Sequence, residues 1–524
     1  MSATRRRFIM LRYVKTLALV AAPCLVPALL TAQRQIPVER FPTALDGYIA
    51  QVLVDWKIPG LAVAVVRNDS VLVAKGYGVR ELGKPARVDE NTVFDIASLS
   101  KSFTATAAAI LVDRGLLRWD DPVRRHLPDL ALPNAALTDD ATVRDFLSHR
   151  SGLESANMMW VLTAVDRAEV LRRVRYLAVA APFRERMIYS NVGYTVAGEA
   201  AAAAAGTSFE NLLRDALIKP LGLSRTTWSY AQAADMPNLA TAHATIGGTQ
   251  QPIRRETQRQ PIAGAAAVQS SVRDLTRWMR LHLNNGVLDG IRFVSDSAMR
   301  EMHTIQVPFV TTPAMRAARQ VEDSVVGYGM GLQVMDYKGH PMLWHTGNGD
   351  GQIAFMALLP RDRLGVVVVV NTWSAPMVHM ALINRIFDSY LGYPPRDWAG
   401  EALARVPAMV RAQDSATRVM EAMRSTAAPP LPLAAYAGRY DNPLFGPLFV
   451  RVERPGLTLQ MGEGQTADLE FHGDAFYLRW RDPLFREYYG AHVRFEVAGD
   501  SVLSLRTRIN RDEFAARKTA TSGR

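Results

Sequence analysis

Phe94-Asp95-Ile96-Ala97-Ser98-Leu99-Ser100-Lys101-Ser102-Phe103-Thr104 is the stretch on which the reading of this chain turns. It runs directly into the apolar segment Ala105–Leu117, so Ser98 falls where a helix begins and Lys101 lies one turn further on. Residues three apart share a helix face, which lets the hydroxyl and the amine meet. The exposed N–H groups of a first helical turn favour negative charge, as an oxygen becoming an alkoxide requires. A serine beside an amine able to take its proton is an activated nucleophile. Lysine suits that task because burial lowers its pKa, whereas arginine stays protonated. Only eight of the 61 Lys and Arg residues are lysines, and this is the only Ser-x-x-Lys in the chain. Alone, the pattern also fits an N-cap serine followed by a solvated lysine. Other stretches must decide.

Two do so. In Ile188-Tyr189-Ser190-Asn191-Val192-Gly193-Tyr194, the Tyr189 oxygen can pass a proton where a nearby cation favours phenolate, and Lys101 is the candidate cation. The Asn191 amide can hold a substrate carbonyl or tie the lysine in place. Trp344-His345-Thr346-Gly347-Asn348-Gly349-Asp350-Gly351 lies on or beside a strand. His345, the Thr346 hydroxyl and backbone N–H groups around Asn348 can contact a substrate there. The glycines at 347, 349 and 351 would let a ligand's backbone approach closely. Taken singly, the first is an ordinary loop with an aromatic anchor and the second a glycine-rich hairpin turn.

Together, in this order and separation, Ser98-x-x-Lys101, Tyr189-x-Asn191 and His345-Thr346-Gly347 resemble the serine β-lactamase and penicillin-binding protein superfamily, specifically its class C-like branch. The resemblance covers residues 37–395 and includes Ile58-Pro59-Gly60-Leu61-Ala62-Val63-Ala64-Val65-Val66, the run Asp145–Leu153, and Pro220-Leu221-Gly222-Leu223. It implies a β-lactamase/DD-peptidase-like α+β fold, an antiparallel sheet flanked by helices plus an all-helical lobe. It also implies roles. Ser98 would be the acylated nucleophile, with Lys101 and Tyr189 as the proton-handling pair. Asn191 would orient the substrate amide, with His345, Thr346 and Gly347 on the leaving side or the substrate carboxylate. Backbone N–H groups of Ser98 and Asn348 would form the oxyanion hole. No metal or organic cofactor is required.

One departure bears on substrate. The β-lactamases of this branch carry lysine where this chain has His345, and an unperturbed histidine is mostly neutral at pH 7. Weaker attraction for a penicillin carboxylate favours the esterase and D-amino-acid peptidase relatives, and substituting lysine at 345 should raise β-lactam turnover. The expectation is an exported serine hydrolase working through a Ser98 acyl-enzyme on a D-amino-acid peptide, a cell-wall fragment or a small ester. The alternatives are a true β-lactamase hydrolysing penicillins or cephalosporins, and a non-catalytic envelope binding protein that retains the fold.

The rest of the chain sets bounds. At 524 residues, with 48% hydrophobic and 21% charged residues, it is a globular protein of two or three domains. Residues 1–32 read as a signal peptide: Arg5, Arg6 and Arg7 precede the apolar run Thr16–Leu30, and Ala32 suits the cleavage site. Thr4–Met10 also looks like a twin-arginine export signal, so a periplasmic or secreted location is expected. Pro23 and Pro27 break the run, which argues against stable membrane insertion after signal removal. Cys24, the one cysteine, lies inside it and leaves the mature chain without thiol chemistry. Of the net charge of +11, five belong to this leader, leaving +6 in scattered arginines. That is a solvated surface and not a nucleic-acid groove; the expected partner is a small-molecule or peptide substrate. No His-Glu-x-x-His and no Gly-x-Ser-x-Gly occur, which disfavours metal catalysis and an α/β-hydrolase.

Strand signals complete the outline. Leu61–Val66 and Val71–Ala74 predict a hairpin; Gly329–Val334, Met342–His345, Gln352–Leu359 and Leu364–Val370 predict a meander. Strands at both ends with helices between imply one sheet closed by distant segments. The hydrolase-like domain is placed at 36–395, and a helical stretch ending in the Pro-rich linker Ala427–Pro432 at 396–432. Seven short strands over 433–515 suggest a small antiparallel barrel, which resembles the lipocalin-like domains appended to some peptidase-type members. Thr142–Leu153 predicts a short helix stopped by glycine. His149-Arg150 reads as a structural turn under the site, and Trp160, Trp278 and Trp344 as core or cleft lining.

Overall fold

In the computed structural model, the residues described are 41–254, 259–309, 311, 326–408, 411 and 428–519. The segment 1–32, where a signal peptide is expected, and Ala427 with most of the helical stretch expected before it lie outside these residues.

The hairpin forms from Gly60–Arg67 and Ser70–Gly78. The other edge of Gly60–Arg67 pairs antiparallel with Leu364–Val370, from Leu61 opposite Val370 to Arg67 opposite Leu364. Segments some 300 positions apart thus close one sheet, as the α+β reading expects. Its eight strands run in the order Ser70–Gly78, Gly60–Arg67, Leu364–Val370, Gln352–Leu359, His340–Gly349, Gln333–Tyr337, Gly327–Tyr328 and Val307–Pro308. Both faces are covered. Val366, Val368 and Val370 join the core beneath helices Phe41–Asp55 and Val378–Leu391, while Val367 and Val369 face helices Ser100–Asp113 and Val272–Leu283. With a core on each side, every position must be apolar, so the alternation usual in antiparallel strands is absent.

Two expectations are corrected. The strand expected over Gly329–Val334 is interrupted at 329–332. Gly331 adopts φ +84° and its N–H donates to the Tyr194 hydroxyl at 2.8 Å, away from any ladder partner. The helix in Thr142–Leu153 spans only Val143–Leu147 and stops before His149, at φ +61°, and not at Gly152. Its start was legible, since Thr142 and Asp145 form a reciprocal capping box.

The C-terminal segment closes into an eight-stranded antiparallel barrel, with Gly438–Asn442 pairing to Asp512–Lys518. Closure leaves no sheet edge exposed. The eighth strand runs past residue 515 and was not expected from sequence. The barrel seats on the main chain of the helical lobe: the Asp512 carboxylate accepts from Met158 N–H at 2.6 Å, and Gln465 N–H donates to the Leu162 carbonyl at 3.0 Å. The Arg173 guanidinium adds a bond to the Leu444 carbonyl at 2.9 Å. Among the described residues, no helix is long and apolar enough to cross a membrane.

Candidate active site

Ser98 sits in a single 3₁₀ turn, Ala97–Leu99, that runs into the α-helix Ser100–Asp113. That helix is almost wholly buried, which its run of alanines and small hydroxyl residues permits. The turn is held from three sides. Phe94 pairs with Ser270, Val268 N–H donates to Ser100 Oγ at 2.9 Å, and Asp95 Oδ1 accepts from Ala97 N–H at 2.8 Å. The last bond steadies Ala97 at φ +42°, a left-handed conformation that side chains disfavour.

Lys101 is fully buried behind the half-buried Ser98. Its Nζ lies 3.0 Å from Ser98 Oγ, 2.7 Å from Asn191 Oδ1 and 3.2 Å from the Ala265 carbonyl. Burial, reinforced by the charge of Arg259, pushes its pKa well below the ordinary lysine value. A neutral amine has two hydrogens and one lone pair. Asn191 and Ala265 are fixed acceptors for the hydrogens, so the lone pair is left for the Ser98 hydroxyl proton. Asn191 opens the helix Asn191–Ala204, and its Nδ2 donates to Asn157 Oδ1 at 2.9 Å, which fixes the amide with its oxygen toward the lysine.

The Tyr189 hydroxyl also meets this group: burial raises its pKa above the ordinary tyrosine value, and a hydrogen bond with Ser98 partly opposes that. Lys101 Nζ lies 4.6 Å from the Tyr189 ring centre. The sequence argument of a lysine cation favouring phenolate is therefore corrected. Burial presses the amine and the phenol alike toward their neutral forms. Beneath Tyr189, His149 Nδ1 accepts from Ser190 N–H at 3.0 Å and the His149 carbonyl from Ile188 N–H at 2.8 Å. Its ring packs 4.3 Å from that of Tyr189. This is the structural turn expected at 149–150.

The strand His340–Gly349 crosses over the serine turn. A Cβ added at Gly347 would fall 1.9 Å from the Ile96 carbonyl oxygen, and one at Gly349 2.4 Å from Asp95 Oδ2. The close approach that demands glycine at 347 and 349 is thus to this chain's own turn around Ser98. Thr346 is half-buried and Asn348 exposed at the open side. His345 is 1% exposed, with Nδ1 donating to the Thr346 carbonyl at 2.5 Å and Nε2 accepting from the Tyr328 hydroxyl at 3.0 Å. Burial and the neighbouring Lys101 lower its pKa to about 3, so it is neutral. The structure brings Ser98, Lys101, Tyr189 and Asn191 together, with Gly347 against their turn; His345 lies behind Tyr189, ring centres 6.2 Å apart.

Two residues escaped the sequence reading. Asn157 has no motif around it. Arg259 is buried, donates to the Asn348 carbonyl at 2.8 Å and pairs with Asp350 at 2.7 Å. Nothing in Arg254-Arg255-Glu256-Thr257-Gln258-Arg259 distinguishes it from its neighbours. Among the described residues, no group of three or more His, Cys, Asp or Glu side chains is placed to hold a metal ion.

Comparison with known proteins bears on the fold and the family. Residues 45–389 match the family described as Beta-lactamase, and residues 423–520 match a domain of unknown function, DUF3471. The chain is 30% identical over 442 residues to the unguisins hydrolase ungD of Aspergillus violaceofuscus (strain CBS 115571), covering 78% of this chain and 76% of that protein. Its fold is similar to the octameric penicillin-binding protein homologue from Pyrococcus abyssi, with TM-score 0.60, 20% identity and coverage of 91% of this chain and 100% of that one. A class C beta-lactamase superposes with TM-score 0.56 and 19% identity, over 68% of this chain and 98% of its own. On the match over residues 45–389 and a relative at 30% identity, the chain belongs to the beta-lactamase family, whose members are serine hydrolases.

Proposed function

We propose that this protein is an exported serine hydrolase that cleaves an amide or ester through an acyl-enzyme on Ser98. The observation that carries the reading is the buried Lys101 amine, whose two hydrogens have fixed acceptors and whose third neighbour, at 3.0 Å, is the nucleophile oxygen. Ser98 Oγ attacks the substrate carbonyl carbon while its proton passes to Lys101 Nζ. Backbone N–H groups of Ser98 and Asn348 hold the resulting oxyanion; loss of one such donor typically costs about 3–4 kcal/mol. As the bond to the leaving amine or alcohol breaks, that group takes its proton from Lys101 by way of the Tyr189 hydroxyl. Water then attacks the acyl-serine with the same amine as base.

The substrate class proposed is a peptide with D-residues, a cell-wall fragment or a small ester. Two features support it over a penicillin. The position where a lysine charge would serve the penicillin carboxylate carries a neutral His345, buried by its neighbours. The relative ungD is by name an unguisins hydrolase. Export rests on the basic and apolar leader at residues 1–32.

A fluorophosphonate probe, followed by intact-mass and peptide mapping, tests the reading. Labelling of wild type at Ser98 and none of Ser98→Ala is expected. No labelling of well-folded wild type would leave a binding protein with this fold. A chromogenic cephalosporin, p-nitrophenyl butyrate and D-alanyl p-nitroanilide, compared side by side, sort the substrate; fastest turnover of the cephalosporin would overturn the preference stated here.

A further inference from the structure

Between the helical lobe and the barrel lies a crevice of about 50 Å³. Trp160, Trp373, Arg259 and Asp350 line it from the main domain, and Phe485 and Tyr489 from the barrel. It adjoins the serine site, because Arg259 holds the carbonyl of Asn348 at 2.8 Å and Asp350 follows two residues later. Arg259 and Asp350 neutralise each other at 2.7 Å, so this wall demands no charge on a ligand. The barrel wall is fixed in place. Tyr488 Oη donates to the Thr245 carbonyl at 3.3 Å, its ring meets Trp373 edge-on at 5.1 Å, and Trp480 Nε1 donates to the Tyr489 carbonyl at 2.7 Å.

We propose that this crevice is a substrate subsite. It takes a small apolar side chain of a peptide-like substrate, and the barrel sets the size limit through Phe485 and Tyr489. The inference rests on the acyl-transfer reading above. Size follows from volume: an apolar cavity of about 150 Å³ holds benzene. One of about 50 Å³ admits a methyl or isopropyl group and excludes a ring. The C-terminal domain is then part of the substrate site and not an appendage.

The test uses the full chain and two N-acylated α-aminoalkylphosphonate diphenyl esters, one with a methyl and one with a benzyl side chain. Rates of Ser98 labelling are read by mass spectrometry. In wild type the methyl probe should react at least tenfold faster. In Phe485→Ala and Tyr489→Ala, the benzyl-to-methyl rate ratio should rise at least fivefold. Should Phe485→Ala fail to fold, Phe485→Leu and the half-buried Tyr489 carry the comparison. A ratio within twofold of wild type in every folded barrel variant overturns the inference. A small fluorophosphonate without a side chain separates the two failures. If it does not label Ser98, the acyl-transfer reading falls; if it labels and the ratio stays fixed, only the subsite falls.

Discussion

The base role proposed for Lys101 requires the free amine, where an ordinary lysine is charged. Burial and Arg259 both press in that direction. Lys101→Arg puts a permanently protonated group in its place, which cannot take the Ser98 proton, so kcat/KM for the best p-nitroanilide or ester should fall at least about 100-fold. An unchanged rate would remove Lys101 from the reaction. Arg259→Gln tests the second cause, since glutamine can still donate to the Asn348 carbonyl. Losing a cation raises the Lys101 pKa toward its ordinary value. Activity requires the free amine and is lost as pH falls through that pKa, so the acid limb of kcat/KM should move to higher pH. A limb that stays put, or moves down, contradicts the charge argument. His345→Lys now carries a different expectation from the one sequence suggested. The new amine would be buried beside Lys101 and without the bonds His345 makes, so it would be neutral and supply no fixed charge. A lower melting temperature and no gain in cephalosporin turnover are expected. Ser98 and Lys101 were legible because three positions on one helix bring two side chains together. Arg259 was not, because its partners lie 89 and 91 positions away and no local pattern marks it.

The element that braces Tyr189 is the short helix Val143–Leu147 and the turn after it, and its hub is Asp145. This fully buried carboxylate accepts from Thr142 N–H at 2.9 Å, Arg150 Nε at 2.6 Å and Arg184 Nη2 at 2.9 Å. Burial alone would raise its pKa, but the bonds from Arg184, Thr142 and Arg150 outweigh burial and lower it. Asp145→Ala leaves two arginines without their partner and should destabilise the fold by about 3–5 kcal/mol, measured by urea unfolding. The sign with pH follows from the lowered value. A depressed carboxylate contributes stability above its unfolded pKa of about 3.9, and the contribution is lost as pH falls through the lower folded value. Stability of the variant should therefore change less below about pH 4 than that of wild type; a parallel loss in both would contradict the assignment. The capping box made this helix readable from Thr142 and Asp145. Its end was unreadable, because the left-handed backbone at His149 is held by the Ser190 and Ile188 N–H groups, 40 positions on, and not by a local glycine.

At the scale of the whole molecule, sheet closure was legible and barrel docking was not. Leu61–Val66 and Leu364–Val370 are apolar at nearly every position, which only a strand buried on both faces explains. The eighth barrel strand, Asp512–Lys518, offers no such signal. Three of its first six residues are charged, and its inward positions hold Asp512, Phe514 and Ala516. The contacts that seat the barrel use the carbonyls of Leu162 and Leu444 and the N–H of Met158, groups every residue possesses. Asp512 is the exception, a buried carboxylate accepting from the first turn of helix Asn157–Leu162, which carries both Asn157 and Trp160. Asp512→Ala should leave the Met158 N–H buried without an acceptor and destabilise the chain by about 1–3 kcal/mol in urea unfolding. Because Asn157 fixes the Asn191 amide, the same variant should also slow Ser98 labelling by a small fluorophosphonate. Arg494→Ala provides the contrast on the same barrel. Its pairing with Asp474 at 3.3 Å is exposed on both sides, and such pairs are worth about 0–1 kcal/mol. If both variants unfold alike and label at the wild-type rate, the barrel does not support the serine site.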